Sequence, residues 1–242
     1  MAFYAAISAN KCEEDKDTSF NNDEWNQFLD SELKSEIDSD FSKVNANDLA
    51  ILMKPLQTSK SSTEVLLKTI SALSRPFLNA NSSEQKICQS YKNANVMKHV
   101  QNAIINNIEL TENGNTMEKT KCITSMLVLL TRLCYVKDQN LAVYLDTELI
   151  VSLLTMKNEQ VQKYALDILL QIAIQNPTAA SNLIRTETLL NCVQNHTKKV
   201  ILLMSMIPSK HKELQFWLKN NQISDDKDET LIRLCNKFLS AT

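Results

Sequence analysis

Glycine is almost missing. Gly114 is the only one in 242 residues, where about 7% is usual. Phosphate-cradling loops, tight β-hairpin turns and strand bulges need the positive φ angles that glycine supplies at least cost. Walker-type and dinucleotide-binding loops are therefore excluded, and a β-rich fold is disfavoured. Cysteine is present six times, at 12, 88, 122, 134, 192 and 235, but no two form a C-x-x-C pair. Most of these cysteines fall inside apolar helical patterns. Zinc sites need clustered Cys and His, so these residues read as small buried hydrophobes, and no metal or cofactor is expected. No apolar run approaches the ~18 residues of a membrane span. The opening "MAFYAAISANKCEED" lacks a basic stretch ahead of its short apolar segment, unlike a signal peptide. These absences together predict a cytoplasmic or nuclear protein.

Catalytic patterns are missing too. The three histidines, His99, His196 and His211, lie far apart near expected helix ends, where caps or solvated side chains are usual. There is no HExxH and no nucleophile elbow with its glycines. Asp225, Asp226, Asp228 and Glu229 precede an apolar helical stretch and read as first-turn acids favourable to a helix dipole. An EF-hand reading fails for want of the central glycine. The sequence predicts no enzyme.

What is there is helix. Hydrophobic residues make up 43% of the chain, enough for a substantial core. Good helix formers (Leu, Lys, Gln, Glu, Ala, Met) dominate the periodic segments. The expected fold class is all-α.

Charge divides the chain. Residues 11–40 hold eleven acids against Lys11, Lys16 and Lys34, a balance of −8 within a total of −2, which leaves +6 on residues 41–242. Residues 1–22 show no helical pattern and read as disordered. "DEWNQFLDSELKSEIDSDF" then sets Trp25, Phe28, Leu29, Leu33, Ile37 and Phe41 at helical spacing. This divides the chain into an acidic extension with one amphipathic helix, 1–45, and a helical domain, 46–242. The extension helix either seals the first apolar face of the body or is a free partner-binding helix. The acidic arm is either a solvated tail or a cover over a basic groove.

From Asn47 onward a short helix, a polar break and a longer helix recur five times. The longer ones start near 63, 117, 158, 196 and 228, and "ISALSRPFLNA" is interrupted or kinked by Pro76. "ELTENGNTMEK" and "RPFLNANSSEQK" depart from compact spacing and read either as insertions on one rim or as signs that the early units are only HEAT-like. The clearest unit is "LIVSLLTMKNEQVQKYALDILLQIA", residues 149–173, with Leu149, Ile150, Leu153 and Leu154 before an elbow. Val161, Ala165, Ile168, Leu169 and Ile172 follow it.

That stretch resembles an armadillo repeat, with a Leu-Val-x-Leu-Leu-like second helix, a polar elbow and Val-Gln-x-x-Ala opening the third helix. The unit spacing is irregular around the 40 to 47 residues of armadillo and HEAT repeats. The resemblance implies an α-solenoid, a right-handed superhelix of about four to five helical units whose third helices line a concave face. In peptide-binding armadillo proteins an Asn near the end of the third helix holds the ligand backbone, and a Trp one turn earlier packs on it. Here Gln171 stands at the Asn place and Asp167 at the Trp place, while Arg75 and Arg132 take the Asn place in looser units, with Val128 one turn before Arg132. None matches the family's residue, so gripping of basic import signals in the importin manner is not implied.

The residues themselves still define a groove. Asp167 and Gln171, four apart, share one helix face. If the third helices stack, Arg75, Arg132, Lys163 and Gln171 form a polar ladder of donors suited to an acidic or phosphorylated segment of a protein partner; the alternative is that they are merely solvated polar positions. The expected function is a non-catalytic adaptor or scaffold. One alternative is a regulatory subunit docking on an enzyme such as a kinase, through its convex face or its ends. Trp25 and Phe28, or Phe216 and Trp217, would then form the surface. A second alternative, a nucleic-acid-associated helical repeat, draws on Lys198, Lys199, Lys210, Lys212 and Lys219, and is opposed by a pI near 6.0.

Overall fold

The structure, a computed structural model, describes residues 22–27, 29–30, 46–58, 61–78, 84–111, 116–136, 144–176 and 184–220, with isolated residues at 178, 180, 233, 235 and 236. The fold class is all-α, and no strand occurs among the described residues.

Polar breaks set the helix starts. Helix α1 spans Ala46–Gln57 and α2 spans Thr63–Ser74. Ser62 caps α2 by accepting from the Val65 amide at 3.3 Å. Such a cap satisfies one of the first-turn N–H groups that have no partner inside the helix. Pro76 then stops the α-helix, because its ring has no N–H and clashes with the preceding turn. The chain continues as a short 3-10 helix over Arg75–Leu78.

The region read as a rim insertion contains a helix of its own. Helix α3, Glu84–Asn93, buries Ile87, Cys88 and Tyr91. The Tyr91 hydroxyl donates to the Leu73 carbonyl at 2.6 Å, and Phe77 meets the Tyr91 ring edge-on at 5.9 Å. These contacts hold α3 against the end of α2. The polar look of "NSSEQK" concealed it, since only three of ten α3 positions face inward.

Helix α4 spans Val96–Thr111 and α5 spans Thr116–Tyr135. Helix α6, Thr147–Leu153, is capped by Asp146, and α7, Glu159–Gln175, by Asn158, each side chain accepting from an amide three residues on. Helix α8 spans Thr186–Leu190. Helix α9, Val193–Met206, contains a break at His196, where φ is −139°. The predicted starts at 63, 117, 158 and 196 thus fall on real helix starts or, for the last, on this break. Pro208 begins a one-turn 3-10 helix, followed by α10, His211–Asn220. The expected start near 228 lies outside the described residues.

The long helices pack in chain order. Helix α5 lies against α2 and α7, and α7 lies against α5 and α9. Helices α1, α4, α6 and α8 each pair with the helix of that row that follows: α2, α5, α7 and α9. Among the described residues no extensive contact skips a neighbour in the row α2, α5, α7, α9. Helix α7 shows why. It buries Val161, Ala165, Leu166, Ile168, Leu169, Leu170, Ile172 and Ala173, an apolar arc too wide for one neighbour. Each such Leu or Ile contributes roughly 1.5–3 kcal/mol when removed from water.

Five cysteines, at 88, 122, 134, 192 and 235, are buried free thiols. Burial pushes Cys88, Cys122 and Cys134 up to about 12, with Glu84 adding to the effect at Cys88. The thiolate is the nucleophile, and at pH 8 a thiol of that pKa is ionised in roughly one molecule in ten thousand. We expect iodoacetamide at pH 8 to modify these three only after unfolding, as read by peptide mass spectrometry. Rapid modification of the native protein at any of them would contradict the packing.

Candidate functional site

Each long helix keeps one stripe partly open to solvent. On α5 it runs through Lys121, Ser125, Val128, Arg132 and Tyr135, and on α7 through Lys163, Asp167, Gln171 and Ile174. On α9 it comprises Lys199, Leu202 and Met206, and on α2 Lys68 and Ser71, continued by Arg75 at the start of the 3-10 helix. Spacings of three and four place each set on one face. The residues singled out in sequence, Arg75, Val128, Arg132, Lys163, Asp167 and Gln171, are all half-buried and sit on three successive neighbours of the row.

Their chemistry differs from one residue to the next. Asp167 is engaged: its carboxylate accepts a short charged hydrogen bond from Lys199 of α9, whose ammonium also reaches the Lys163 carbonyl at 3.5 Å. With side chains only 17% and 27% exposed, this pair is better shielded from solvent than a surface ion pair. Its evident role is to join the α7 and α9 stripes. Lys199 had been grouped with a basic C-terminal third, and the structure instead spends its charge internally. Lys163 holds its ammonium 5.5 Å from the centre of the adjoining Tyr164 ring, a cation–π contact. The Arg132 guanidinium and the Gln171 amide have no hydrogen-bond or ion-pair partner among the described residues. Both are donors that the face leaves available, as is Lys121 near the start of the α5 stripe.

The face also has an apolar part that periodicity did not reveal. Tyr135, Ile174 and Leu202 are 54%, 55% and 38% exposed. In the run "VILLMSM" no spacing rule shows that Leu202, rather than Ile201 or Leu203, is the one left outside.

The alternative surfaces divide. Trp25, proposed with Phe28 as a partner surface, is buried at 5% exposure together with Leu29. The Asn22 side-chain oxygen accepts from the Ser62 amide at 3.0 Å, and Asp30 pairs with Lys68 at 2.8 Å. Asp30, more than Glu64 beside it, raises the Lys68 pKa. This segment therefore seals the body at the head of the α2 stripe and leaves no free Trp25, because an exposed indole would forfeit its apolar burial. Phe28 lies outside the described residues. At the other end Phe216 is 72% exposed, while Trp217 packs partly against the core.

The histidines serve the frame. His196 contacts the Glu159 carbonyl at 3.1 Å and His211 the Ser205 carbonyl at 2.9 Å. His99 lies 3.4 Å from the Gln57 amide, its pKa lowered by burial and by Lys98. Among the described residues no group of three His, Cys, Asp or Glu side chains is placed to hold a metal ion, and no helix is long and apolar enough to cross a membrane. Comparison of the chain with protein families, curated proteins and solved structures finds no match.

Proposed function

We propose that this chain is an armadillo-like α-solenoid of four to five units acting as a non-catalytic adaptor, which holds a protein partner along the face of α2, α5, α7 and α9. The observation that carries the reading is the neighbour-to-neighbour row of long helices, each with one half-open stripe, on which Arg132 and Gln171 stand unpaired. Stacked repeats present extended preformed surfaces of this kind. Preformation lowers the ordering cost of binding, so a few anchors suffice. A planar guanidinium at Arg132 suits a carboxylate or phosphate in bidentate geometry, and Tyr135, Ile174 and Leu202 supply apolar contact beside it. The favoured ligand is an acidic or phosphorylated segment with an apolar anchor.

A second reading, a regulatory subunit docking on an enzyme through its end, is favoured by the exposed Phe216 ring. The two separate by mutation. A photo-crosslinking residue at position 171 is expected to trap the partner. Arg132→Glu alone, and the Arg75, Arg132 and Lys163 charge-reversed variant, are expected to weaken capture at least tenfold with circular dichroism unchanged. Capture that survives Arg132→Glu and is lost in Phe216→Ala would move the site to the terminal helix.

A further inference from the structure

A cleft of about 350 Å³ opens between α3, α4 and the segment leading into α6. It lies on helices other than those of the long-helix face. One wall is fixed by Gln101, which is 5% exposed. Its amide donates to the Met97 carbonyl at 3.1 Å and to the Tyr144 carbonyl at 3.2 Å, and its oxygen accepts from the Asp146 amide. Buried and fully bonded, Gln101 ties α4 to residues 144–146, so the cleft exists before any ligand arrives. The one carboxylate in the lining, Asp146, is occupied in capping α6.

The remaining polar groups are unspent. Lys98 has no carboxylate partner among the described residues, and Lys92 rests 5.1 Å from the centre of the half-exposed Tyr144 ring. The side-chain amides of Asn95 and Asn102 also pair with no described residue. Asn95 immediately precedes α4 in a left-handed conformation (φ 53°), and Asn102 lies seven residues on within the helix, about two turns or roughly 10 Å away. A polyproline II peptide repeats every three residues and rises about 9 Å in doing so, with its backbone N–H and C=O groups free. Each asparagine offers a donor and an acceptor, the complement of one peptide unit. Lys98 stands between them, and Met97 and Ile105 form the apolar floor.

We infer that this cleft is a second docking site, taking an extended acidic peptide segment of a partner. Asn95 and Asn102 hold its backbone three residues apart, Lys98 and Lys92 meet its carboxylates, and one apolar side chain enters beside Tyr144. The inference rests on the protein-partner reading above but uses different residues, so the two fail separately.

The test is fluorescence anisotropy of the full chain with three labelled nine-residue peptides. Each has a central leucine, flanked by glutamate, glutamine or lysine. The glutamate peptide is expected to bind at least tenfold tighter than the glutamine peptide, more weakly at high salt, with the lysine peptide unbound. Lys98→Glu is expected to lower its affinity at least tenfold and Asn102→Ala at least threefold. Both positions are exposed, so circular dichroism should not change, and the same losses are expected when the comparison is made in an Arg132→Glu background, where the long-helix face no longer contributes. Equal binding of the glutamate and glutamine peptides, no binding of either, or binding indifferent to Lys98→Glu would overturn the inference. Binding lost in Arg132→Glu but retained in Lys98→Glu would overturn it as well, while leaving the long-helix face standing.

Discussion

Leu169→Ala is expected to lower the stability of the folded chain by about 3–4 kcal/mol and its melting temperature by about 10 °C. Leu169 is fully buried on α7, the helix that packs against α5, α6 and α9 at once. Removing its isobutyl group forfeits the transfer free energy and leaves a cavity. A site walled on several sides by helices has little freedom to collapse into that space, which puts the cost toward the upper half of the usual range. The control is Leu202→Ala on the neighbouring helix. Leu202 is 38% exposed, and its truncation should change stability by no more than about 0.5 kcal/mol. Denaturant unfolding followed by far-ultraviolet circular dichroism checks both. A Leu169→Ala cost below about 1 kcal/mol would mean that α7 is not the centre of the packing.

Trp25→Ala is expected to have an effect comparable in energy and different in kind. The indole is nearly buried, and full truncation of such a side chain typically costs about 3–5 kcal/mol. Polar contacts accompany it here, among them Asn22 with the Ser62 amide and Asp30 with Lys68. The Asp30 carboxylate is 65% exposed and also shares Lys68 with Glu64. Its ion pair therefore stabilises by no more than about 0.5 kcal/mol. With the indole gone, Leu29 and exposed polar contacts are left to hold the segment, and these stabilise it far less. We expect residues 22–30 to detach while α5, α7 and α9 stay folded, since regions with few buried contacts open locally before the whole does. Limited proteolysis should cut within 22–30 at least tenfold faster, with melting of the body lowered by only a few degrees. Asp30→Asn should leave proteolysis nearly unchanged. Protection retained in Trp25→Ala would show that the polar contacts, not the indole, hold the segment.

That segment also bears on the acidic arm. The described part of the extension reaches the α2 stripe at Lys68, and among the described residues it pairs with neither Arg132 nor Gln171. Of the other acids of 11–40, Asp23 and Glu24 are among the described residues, and the rest lie outside them.

Local features of this chain were legible because they depend on neighbours in sequence. The starts read near 63 and 158 fall where the Ser62 and Asn158 side chains accept from backbone amides three residues on. Pro76 ends α2 by removing a single N–H. The period of 3.6 picked out Val161, Ala165, Ile168, Leu169 and Ile172, all buried, because a helix must turn one arc toward the core. A single glycine decided against strands and phosphate loops before any coordinate was known. Tertiary structure decided the rest, where the partner is far along the chain. It placed Lys199 on Asp167, 32 residues away, and Gln101 on Tyr144, 43 residues away. It buried Trp25, left Leu202 outside within an apolar run, and brought the polar α3 back onto Leu73. Helix registry sets such contacts, and registry follows from how whole side-chain surfaces interlock rather than from any local pattern.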